Sequence, residues 1–554
     1  MRAALDGDLP GGHAPQTGAI DLVRLSGQPE LTEEGPALER KTDVTDSSPS
    51  PASLAALRDA VLKGREPPPL QAIARLASYR WFVVGTVCIG AFMGQVDASL
   101  AQMLLPRLEV DFAAPLRTVS WVAVAYILAM ASFMPIFGRL ADMIGRKLLY
   151  TCGFLLFVLG SGLCGFAPDL PVLIAFRILQ AIGAALITAN SIAIIVLATR
   201  PQERGRGLGL QSAAQAIGLG VGPALGGLVL DTLGWNWAFW INVPFGLVGA
   251  TLGWFVIPQT RGLQGSGRFD WRGALLIAPA LTAVVAVLNE GHAWGVTSPA
   301  LIGCVVLAIV FLTLFVRAER RAETPLIDFA LLRQRAFLYG NVANFMSYAM
   351  LFGVFFLIPF VLVRVYQDSA LAAGLRLSII PVMLGVLAPV GGALYDRFGA
   401  RAVTTSGVLV CIAGLVGLYV YLDGAPANLP FVMLALAAFG IGQGLFISPN
   451  SSAIMATSPA ELTGEAGSFL NVVRYLGIST GIAGASALLA LRLVAATGLD
   501  GGTMAAPAPA LVAASRDVVI LLCGFGVLAG ALSLMRTAPR KARGADEGEQ
   551  VGAL

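Results

Sequence analysis

The sequence is dominated by uninterrupted apolar runs about twenty residues long. Residues 81–105, 148–167, 235–257 and 517–535 are four of these runs. At about 1.5 Å per residue, a helix of this length crosses the roughly 30 Å hydrocarbon core of a bilayer. Strands of membrane barrels are about ten residues long and alternate apolar with polar side chains. Because these runs are continuous, they predict an all-α membrane protein.

The composition excludes a large soluble core. The chain has 554 residues, of which 56% are hydrophobic and 13% are charged. Soluble domains are about 45–50% apolar and about 25% charged. The hydrophobic excess is concentrated in the runs described above, as expected for spans in lipid.

The apolar runs predict fourteen transmembrane helices. Their predicted ranges are 81–105, 117–137, 148–167, 171–198, 207–230, 235–257, 272–289, 299–316, 337–363, 371–394, 402–421, 430–455, 464–491 and 517–535. The predicted domain order is a cytoplasmic tail at 1–78, a six-helix bundle at 79–258, a two-helix insertion with linkers at 259–320, a second six-helix bundle at 321–538 and a cytoplasmic tail at 539–554.

The first 78 residues differ in composition from the rest of the chain. They are rich in Pro, Ser, Gly and acidic residues, which bury too little apolar surface to offset the entropy of ordering. We therefore expect a disordered tail. It lacks the charged-then-apolar opening of a cleaved signal peptide, and an overextended gene start is an open alternative.

The placement of Lys and Arg predicts the orientation. With the amino terminus inside, basic residues beside the spans concentrate on the inner side, and only six fall outside: Arg107, Arg117, Arg364, Arg376, Arg492 and Arg516. Basic loops stay in the cytoplasm, so both termini are predicted to be cytoplasmic. The preference for Arg over Lys, with abundant Ala and Gly, indicates a GC-rich bacterium and hence its cytoplasmic (inner) membrane.

A repeated loop indicates two related halves. Residues 138–147 read GRLADMIGRK and residues 392–401 read GALYDRFGAR, at one common offset. Gly138 and Gly145 permit a tight turn, and Asp142 can cap the next helix or pair with a neighbouring Arg. Such a clasp can favour one of two bundle arrangements, or it can be a plain connector. The predicted gating residues in the two loops are Gly138, Asp142, Gly145, Arg146, Asp396 and Arg397.

The fifth predicted span carries the run GLGVGPALGG at 218–227. Glycines spaced by four residues let helices approach closely, and a proline within a helix removes a backbone donor and bends the helix. We expect this span to seal the outer half of the pathway when the inner half is open, although generic small-residue packing would produce a similar pattern. The residues concerned are Gly218, Gly222, Pro223, Gly226 and Gly227.

Asp97, Arg177 and Arg474 are charges well inside predicted spans, where charge is costly and usually functional. Asp97 and Arg177 both lie roughly 10 Å below the outer face, at about 1.5 Å per residue, so they can meet. We expect Asp97 to exchange a proton and Arg177 to tune that exchange. A static structural ion pair is the alternative.

Arg474 lies about midway along its predicted span without an acid at matching depth. It either caps backbone carbonyls or faces a hydrated cavity and contacts substrate. The predicted substrate cavity comprises Arg474, Asn190, Gln215, Asn344 and Gln443. Amides in membrane helices more commonly bridge helices, so that alternative stays open for them.

Several of these motifs resemble those of the major facilitator superfamily. The loop at 138–147 is similar to its signature inner loop, with Met143 where a basic residue is common, and 218–227 is similar to the antiporter motif of drug:proton exporters. Asp97, RILQAIGAA at 177–185 and FWINVPFG at 239–246 resemble the fourteen-span family.

The resemblance covers 81–535 and implies two six-helix bundles with two extra central helices. It further implies a proton-coupled antiporter that exports small amphipathic compounds, including drugs and antibiotics, by alternating access. An exporter or facilitator of a specific metabolite, including an anionic one, is an alternative. A transport-dead receptor or scaffold is another, and deleting residues 1–75 would abolish its output while leaving the flux of a transporter intact.

Other function classes have no support in the sequence. It contains no G-x-x-x-x-G-K-[ST] phosphate loop, H-E-x-x-H motif, Cys/His cluster or Ser/His/Asp set. We therefore expect neither an enzyme nor ATP-driven transport, and no metal or other cofactor, with the proton gradient as the energy source. The expected partners are a small-molecule substrate and the lipid bilayer, without nucleic acid. We expect a monomer, and a periplasmic adaptor is left open.

Overall fold

The computed structural model describes residues 66, 68–260, 271–294, 297–321, 329–458, 463–498 and 503–536. Most of the predicted tail at 1–78, and the whole of that at 539–554, therefore lie outside the described residues. The regular elements of the described part are all helices, which confirms the predicted all-α class.

The helices are numbered in chain order. In the first part of the chain they are α1 (Gln71–Ala74), α2 (Tyr79–Asp111), α3 (Leu116–Ile144), α4 (Arg146–Cys164), α5 (Leu170–Ala198), α6 (Arg204–Thr232), α7 (Trp235–Trp240), α8 (Asn242–Val256), α9 (Trp271–Trp294) and α10 (Pro299–Glu319). They continue with α11 (Phe329–Arg333), α12 (Arg335–Arg364), α13 (Ala370–Leu377), α14 (Ile379–Tyr421), α15 (Leu429–Ala456), α16 (Thr463–Thr497) and α17 (Ala508–Met535).

Twelve helical stretches in the described part are long and apolar enough to cross a membrane. One of them, Ala370–Tyr421, has 52 residues and contains two of the predicted spans. At roughly 1.5 Å per residue its length along the chain is about 80 Å, more than twice the thickness of the hydrocarbon core, and a turn at Gly399 divides it. The seventh predicted span falls on α9, whose apolar part is the shorter stretch Leu275–Val287. The chain is therefore a multi-pass membrane protein, and the count of fourteen stays a prediction.

Helix starts follow local capping chemistry. Asp169 precedes α5, and its Oδ1 accepts a hydrogen bond from the backbone N–H of Val172 at 2.9 Å. Ser369 precedes α13, and its Oγ accepts one from the N–H of Ala372 at 3.2 Å. Short polar side chains at this position satisfy backbone donors that have no partner within the helix.

The helices preceding the linker at 261–270 pack closely on one another. Helix α2 packs along α6, and α5 packs on both α3 and α4. In the later part of the chain, α12 packs on α16 and α17, and α14 packs on α15. Helices α9 and α10 pair with each other, and α9 also contacts α3 and α16. The pair thus lies beside the α3–α16 contact.

The repeated loop has a matching backbone. Gly145, between α3 and α4, has φ +120°, and Gly399, at the same position of the second loop, has φ +80°. These values are unfavourable for residues with a Cβ atom. Gly399 has ψ 166°, which is not helical, and the turn at this residue divides α14 into two helical arms. The two glycines therefore hold equivalent sharp turns.

Gly399 and Gly392 provide a matched test of this turn, since a Cβ atom at either position meets no atom within 4 Å. We expect Gly399→Ala to lower the free energy of unfolding by about 1–3 kcal/mol, because of backbone strain alone. Gly392→Ala, within the helical arm, should be neutral or stabilising by up to about 1 kcal/mol. Thermal unfolding of the purified protein in detergent measures both, and equal stability of the two variants would contradict a strained turn.

Candidate functional site

A fully buried ion pair joins α2 and α5. The Nη1 atom of Arg177 lies 2.8 Å from Oδ2 of Asp97, and each side chain is 1% exposed. The predicted contact between these two residues is therefore present. Such a pair is tolerated in a low-dielectric interior only when the remaining donors and acceptors also find partners.

Two amides complete the surroundings of Asp97. Its Oδ1 atom accepts hydrogen bonds from Nε2 of Gln180 at 2.9 Å and from Nδ2 of Asn242 at 3.0 Å. Gln180 also accepts from Nη1 of Arg177 at 2.7 Å, one helical turn away on α5. Both amides donate to Oγ of Ser161, at 3.1 and 3.3 Å. The carboxylate thus accepts three hydrogen bonds, a set that suits its ionised form.

The guanidinium of Arg177 is held from its other sides by backbone and aromatic groups. Its Nε donates to the carbonyl oxygen of Val122 at 3.2 Å. Its central carbon lies 4.1 Å from the ring centroid of Tyr126 and 5.5 Å from that of Phe239. These are distances at which a cation is attracted by an aromatic face.

A small cavity lies beside this cluster, between the earlier and later helices. It is lined by Gly90, Ala91, Gly94, Gln95, Ala98, Ile127, Met130, Thr188, Ser191, Gln211, Gln215, Phe352, Arg474, Tyr475 and Ile478. Its volume of about 30 Å³ has room for water but not for an organic compound. Asp97 does not line it, although Gly94 and Ala98 on the same helix do. The ion pair therefore lies beside the cavity without forming part of its wall.

Arg474 on α16 brings a positive charge to the cavity wall. Its guanidinium carbon lies 5.0 Å from the ring centroid of Tyr348 and 5.7 Å from that of Tyr475. Its Nε atom is buried and has no hydrogen-bond partner among the described residues. Tyr475 on α16 and Thr188 on α5 both line the cavity.

Of the predicted cavity residues, the structure places Arg474 and Gln215 on the cavity wall. The other three, Asn190, Asn344 and Gln443, do not line it. Gln443 instead bridges α15 and α12, accepting a hydrogen bond from Oγ of Ser347 at 2.7 Å. Asn190 donates to the carbonyl of Leu186 on its own helix at 2.8 Å. Gln443 therefore bridges two helices, which is the alternative that the sequence analysis left open for these amides.

Asn344 is 1% exposed. Neither polar atom of its amide has a hydrogen-bond partner within the described part of the chain. The cavity residues that sequence reasoning did not assign include Gln95, Thr188 and Ser191. Gln211 and Gln215 are four residues apart in the sequence, and this spacing predicts that they share one face of α6.

The glycine motif on α6 packs against α2. A Cβ atom at Gly218 would meet the carbonyl oxygen of Phe92, and one at Gly222 would meet Oγ of Ser99. At Gly226 the neighbour is the side chain of Leu100. Only glycine allows this approach, so the expected close packing is present along the helix that carries Asp97.

The far end of α6 closes against α13. Gly227 contacts the backbone of Ala370, and Pro223 contacts Gly374. Asp231 accepts hydrogen bonds from the N–H groups of Ala370, at 3.1 Å, and Leu371, at 2.8 Å, and so caps α13.

A second contact lies in the last turn of α2, where Glu109 accepts hydrogen bonds from the N–H groups of Thr503 and Met504. We call these two contacts, Asp231–α13 and Glu109–503/504, the closed end. Both join helices before the 259–320 segment to residues after it.

The repeated loop lies at the other end of α3. The N–H of Arg146 donates to Oγ1 of Thr260 at 2.8 Å, and the N–H of Lys147 donates to Oε1 of Glu66 at 3.1 Å. Glu66 also accepts from the hydroxyl of Thr260 at 2.8 Å and contacts Gly145. A residue ahead of the first span thus caps α4, which no sequence motif indicated.

The remaining predicted gating residues are less constrained. A Cβ atom at Gly138 would meet nothing within 4 Å. The side chain of Asp142 lies outside the described part. Asp396 and Arg397 are exposed on the second loop, with Arg397 5.2 Å from the ring of Phe398.

The described part of the chain has long apolar helices in two packed groups. A polar cavity lies between the groups, and a buried ion pair lies beside the cavity. This is the arrangement of a multi-helix membrane transporter. The sequence model of the Major Facilitator Superfamily matches residues 87–482. The chain belongs to this superfamily.

Curated relatives are transporters. The chain is 34% identical over 414 residues to Riboflavin transporter RibZ of Clostridioides difficile, covering 75% of this chain and 89% of that protein. It is 31% identical to the Multidrug resistance protein B homolog of Mycobacterium tuberculosis, covering 73% and 75%. It is 27% identical to Multidrug transporter protein MdtP of Bacillus subtilis, covering 75% and 76%. The chain thus resembles the multidrug-efflux transporters of the superfamily.

Solved structures share the fold at low sequence identity. A bacterial homologue of the lysosomal transporter Spinster matches with a TM-score of 0.58 and 15% identity, over 83% of this chain and 97% of that one. The D-xylose-proton symporter matches with a TM-score of 0.58 and 14% identity, over 81% and 97%.

A double-mutant cycle tests the buried pair. Asp97→Asn and Arg177→Gln should each lower the free energy of unfolding by about 3–5 kcal/mol, because each leaves one buried charge unpaired. The double variant should lose about 2–3 kcal/mol less than the sum of the two losses. Unfolding in detergent measures all four proteins.

The exposed pair of Arg492 and Asp517, 3.0 Å apart, is a matched control. Its cycle should show a coupling below about 1 kcal/mol, as exposed pairs do. Additive losses at Asp97 and Arg177 would contradict a strong buried interaction.

Proposed function

We propose that the chain is a proton-coupled antiporter that exports small amphipathic compounds by alternating access across a bacterial cytoplasmic membrane, with both termini in the cytoplasm. The observation that carries this proposal is the carboxylate of Asp97, held by one guanidinium and two amides inside the bundle. Among the described acidic side chains of the helices it is the least exposed, at 1%, and the helix that carries it also forms part of the cavity wall.

Protonation of Asp97 would remove the negative charge that compensates Arg177. Nη1 of Arg177 would then lose its charge-assisted bond, and the amides of Gln180 and Asn242 would lose an anionic acceptor. Charge-assisted bonds are about twice as strong as neutral ones, so the arrangement around α2 and α5 would change in free energy. The ionised and protonated forms thereby favour different packings of these helices.

A shift of α2 would be transmitted to the closed end through the packing of α6. Helix α6 lies on α2 through its glycine row and continues to the contacts of Pro223 and Gly227 with α13. In the proposed orientation the closed end is the outer end, so the cavity in this conformation is sealed from outside. Movement of α2 against α6 would loosen that seal.

The proton gradient is sufficient for this work. A charge that crosses 100 mV gains about 2.3 kcal/mol. At about 1.4 kcal/mol per tenfold, this sustains a concentration ratio of roughly fifty. One proton per substrate is therefore enough for efflux against a moderate gradient.

The amphipathic character of the substrate is supported by a groove between α6 and α14. It has a volume of about 660 Å³ and is lined mainly by apolar side chains, among them Ile217, Val221, Leu228 and Val386. The groove runs along the same helix that presents Gln211 and Gln215 to the cavity. The apolar part of a compound would thus contact the groove side of α6, and its polar part would contact the side that carries Gln211 and Gln215.

A second candidate function is export or facilitated passage of one specific metabolite. The 34% identity to a protein named as a riboflavin transporter favours it. Drug efflux and metabolite transport share the same cavity and coupling residues, so they differ only in the range of accepted substrates.

Flux in proteoliposomes tests the coupling. Under an imposed pH gradient, wild-type protein should transport fluorescein or riboflavin, and Asp97→Asn should reduce that flux at least tenfold, because the amide of asparagine cannot bind and release a proton near neutral pH. Exchange of labelled for unlabelled substrate without a gradient should persist.

Asp517→Asn is the matched control, since it removes an exposed acid that also pairs with an arginine. Its gradient-driven flux should equal that of wild type. An unchanged, still proton-driven flux in Asp97→Asn would remove Asp97 from the mechanism.

A further inference from the structure

The cavity wall carries one positive charge and no described negative charge. Arg474 is the only ionised side chain among the lining residues, and the other polar groups are neutral amides and hydroxyls such as Gln95, Gln211 and Thr188. Asp97, which lies on one of the helices that form the wall, is paired with Arg177 and does not line the cavity. The cavity therefore has an uncompensated cation at its surface.

The two deep arginines differ in how their donors are used. Arg177 donates to Val122, Asp97 and Gln180, and so uses both Nε and Nη1. Arg474 leaves its buried Nε without a partner in the described part of the chain and forms no ion pair there. A buried donor without a partner is costly, and the planar guanidinium is well suited to a carboxylate or another oxygen anion.

Aromatic rings lie on the same side of the cavity as this cation. Tyr475 and Phe352 line the cavity. The ring centroid of Tyr348 is 5.0 Å from the guanidinium carbon of Arg474. Aromatic faces stack with planar rings in offset or edge-on arrangements. A planar compound that carries an anionic oxygen would satisfy both the rings and the unpaired donor.

Building on the proposed antiport, we propose that the cavity selects planar aromatic compounds with an anionic oxygen, and that Arg474 is the residue that determines this specificity. The compound enters when the walls separate, because the present volume admits only water. Its anionic oxygen accepts from Nε of Arg474, and its ring lies against the tyrosines.

An anionic cargo has an electrical consequence. Exchange of one inward proton for one outward monovalent anion moves two positive charges inward, whereas exchange of a proton for a monovalent cation moves none. Transport of an anion should therefore respond to an inside-negative potential as well as to the pH gradient, which separates this cargo from a cationic drug.

Two dyes built on the same xanthene ring system test the specificity. Fluorescein is an anion and rhodamine 6G is a cation at neutral pH. Fluorescence anisotropy with the purified full-length protein in detergent measures both dissociation constants without any gradient. Wild type should bind fluorescein at least about tenfold more tightly than rhodamine 6G, and Arg474→Gln should lose about tenfold or more for fluorescein alone.

Arg516→Gln is the matched control, because Arg516 also lies over a tyrosine ring, at 5.9 Å from that of Tyr419, but outside the cavity. Its two dissociation constants should match those of wild type. Should Arg474→Gln fail to fold, Arg474→Lys keeps the charge without the planar fork. That variant should retain the order of the two dyes while binding fluorescein several-fold more weakly.

Three results would overturn the proposal. They are equal or tighter binding of rhodamine 6G by wild type, unchanged binding of fluorescein by a folded Arg474→Gln, and reversal of the dye order in Arg474→Lys. Because binding is measured without a gradient, these outcomes concern the substrate class alone. Loss of the antiport itself would appear only in the flux experiments with Asp97→Asn.

Discussion

The ion pair between Asp97 and Arg177 is the interaction on which the rest of the transporter depends. Two charges with 1% exposure each are stable in this interior only because Gln180, Asn242 and Val122 complete their hydrogen bonds. The pair and these three partners draw on four helices, α2, α3, α5 and α8. Loss of the charge of Asp97 would therefore affect contacts on four helices of the first bundle.

The buried pair lies beside the cavity on the same helix, without forming part of the cavity wall. Gly94 and Ala98 form part of the cavity wall, whereas Asp97 points into the bundle. Substrate and proton would thus act on α2 without contacting each other. Thr188, on the helix that carries Arg177, and Tyr475 on α16 both line the cavity. Coupling of this kind requires a shared two-state element, and in the proposed mechanism that element is α2.

Much of this arrangement follows from local sequence. Apolar runs locate the spans, and equal depth in the membrane brings Asp97 to Arg177, as the 2.8 Å contact shows. The row of glycines in α6 predicts a close neighbour because only a missing Cβ allows such an approach, and that neighbour is α2.

The residues that escaped prediction depend on helix rotation and long-range contact. Gln443 is as polar as Gln215, yet it bonds to Ser347 while Gln215 lines the cavity, and no local pattern distinguishes the two faces. Asn242 reaches Asp97 from α8, and Glu66 reaches the start of α4 across 81 residues of sequence.

Infrared difference spectroscopy can observe the proposed switch itself, because the carbonyl stretch of a protonated carboxyl group is distinct from the bands of a carboxylate. Titration of the protein in lipid should reveal a carboxylic acid band that rises as the pH falls, diminishes when substrate binds and is missing in Asp97→Asn. Persistence of that band in Asp97→Asn, or its absence at every pH that supports transport, would show that Asp97 does not carry the proton.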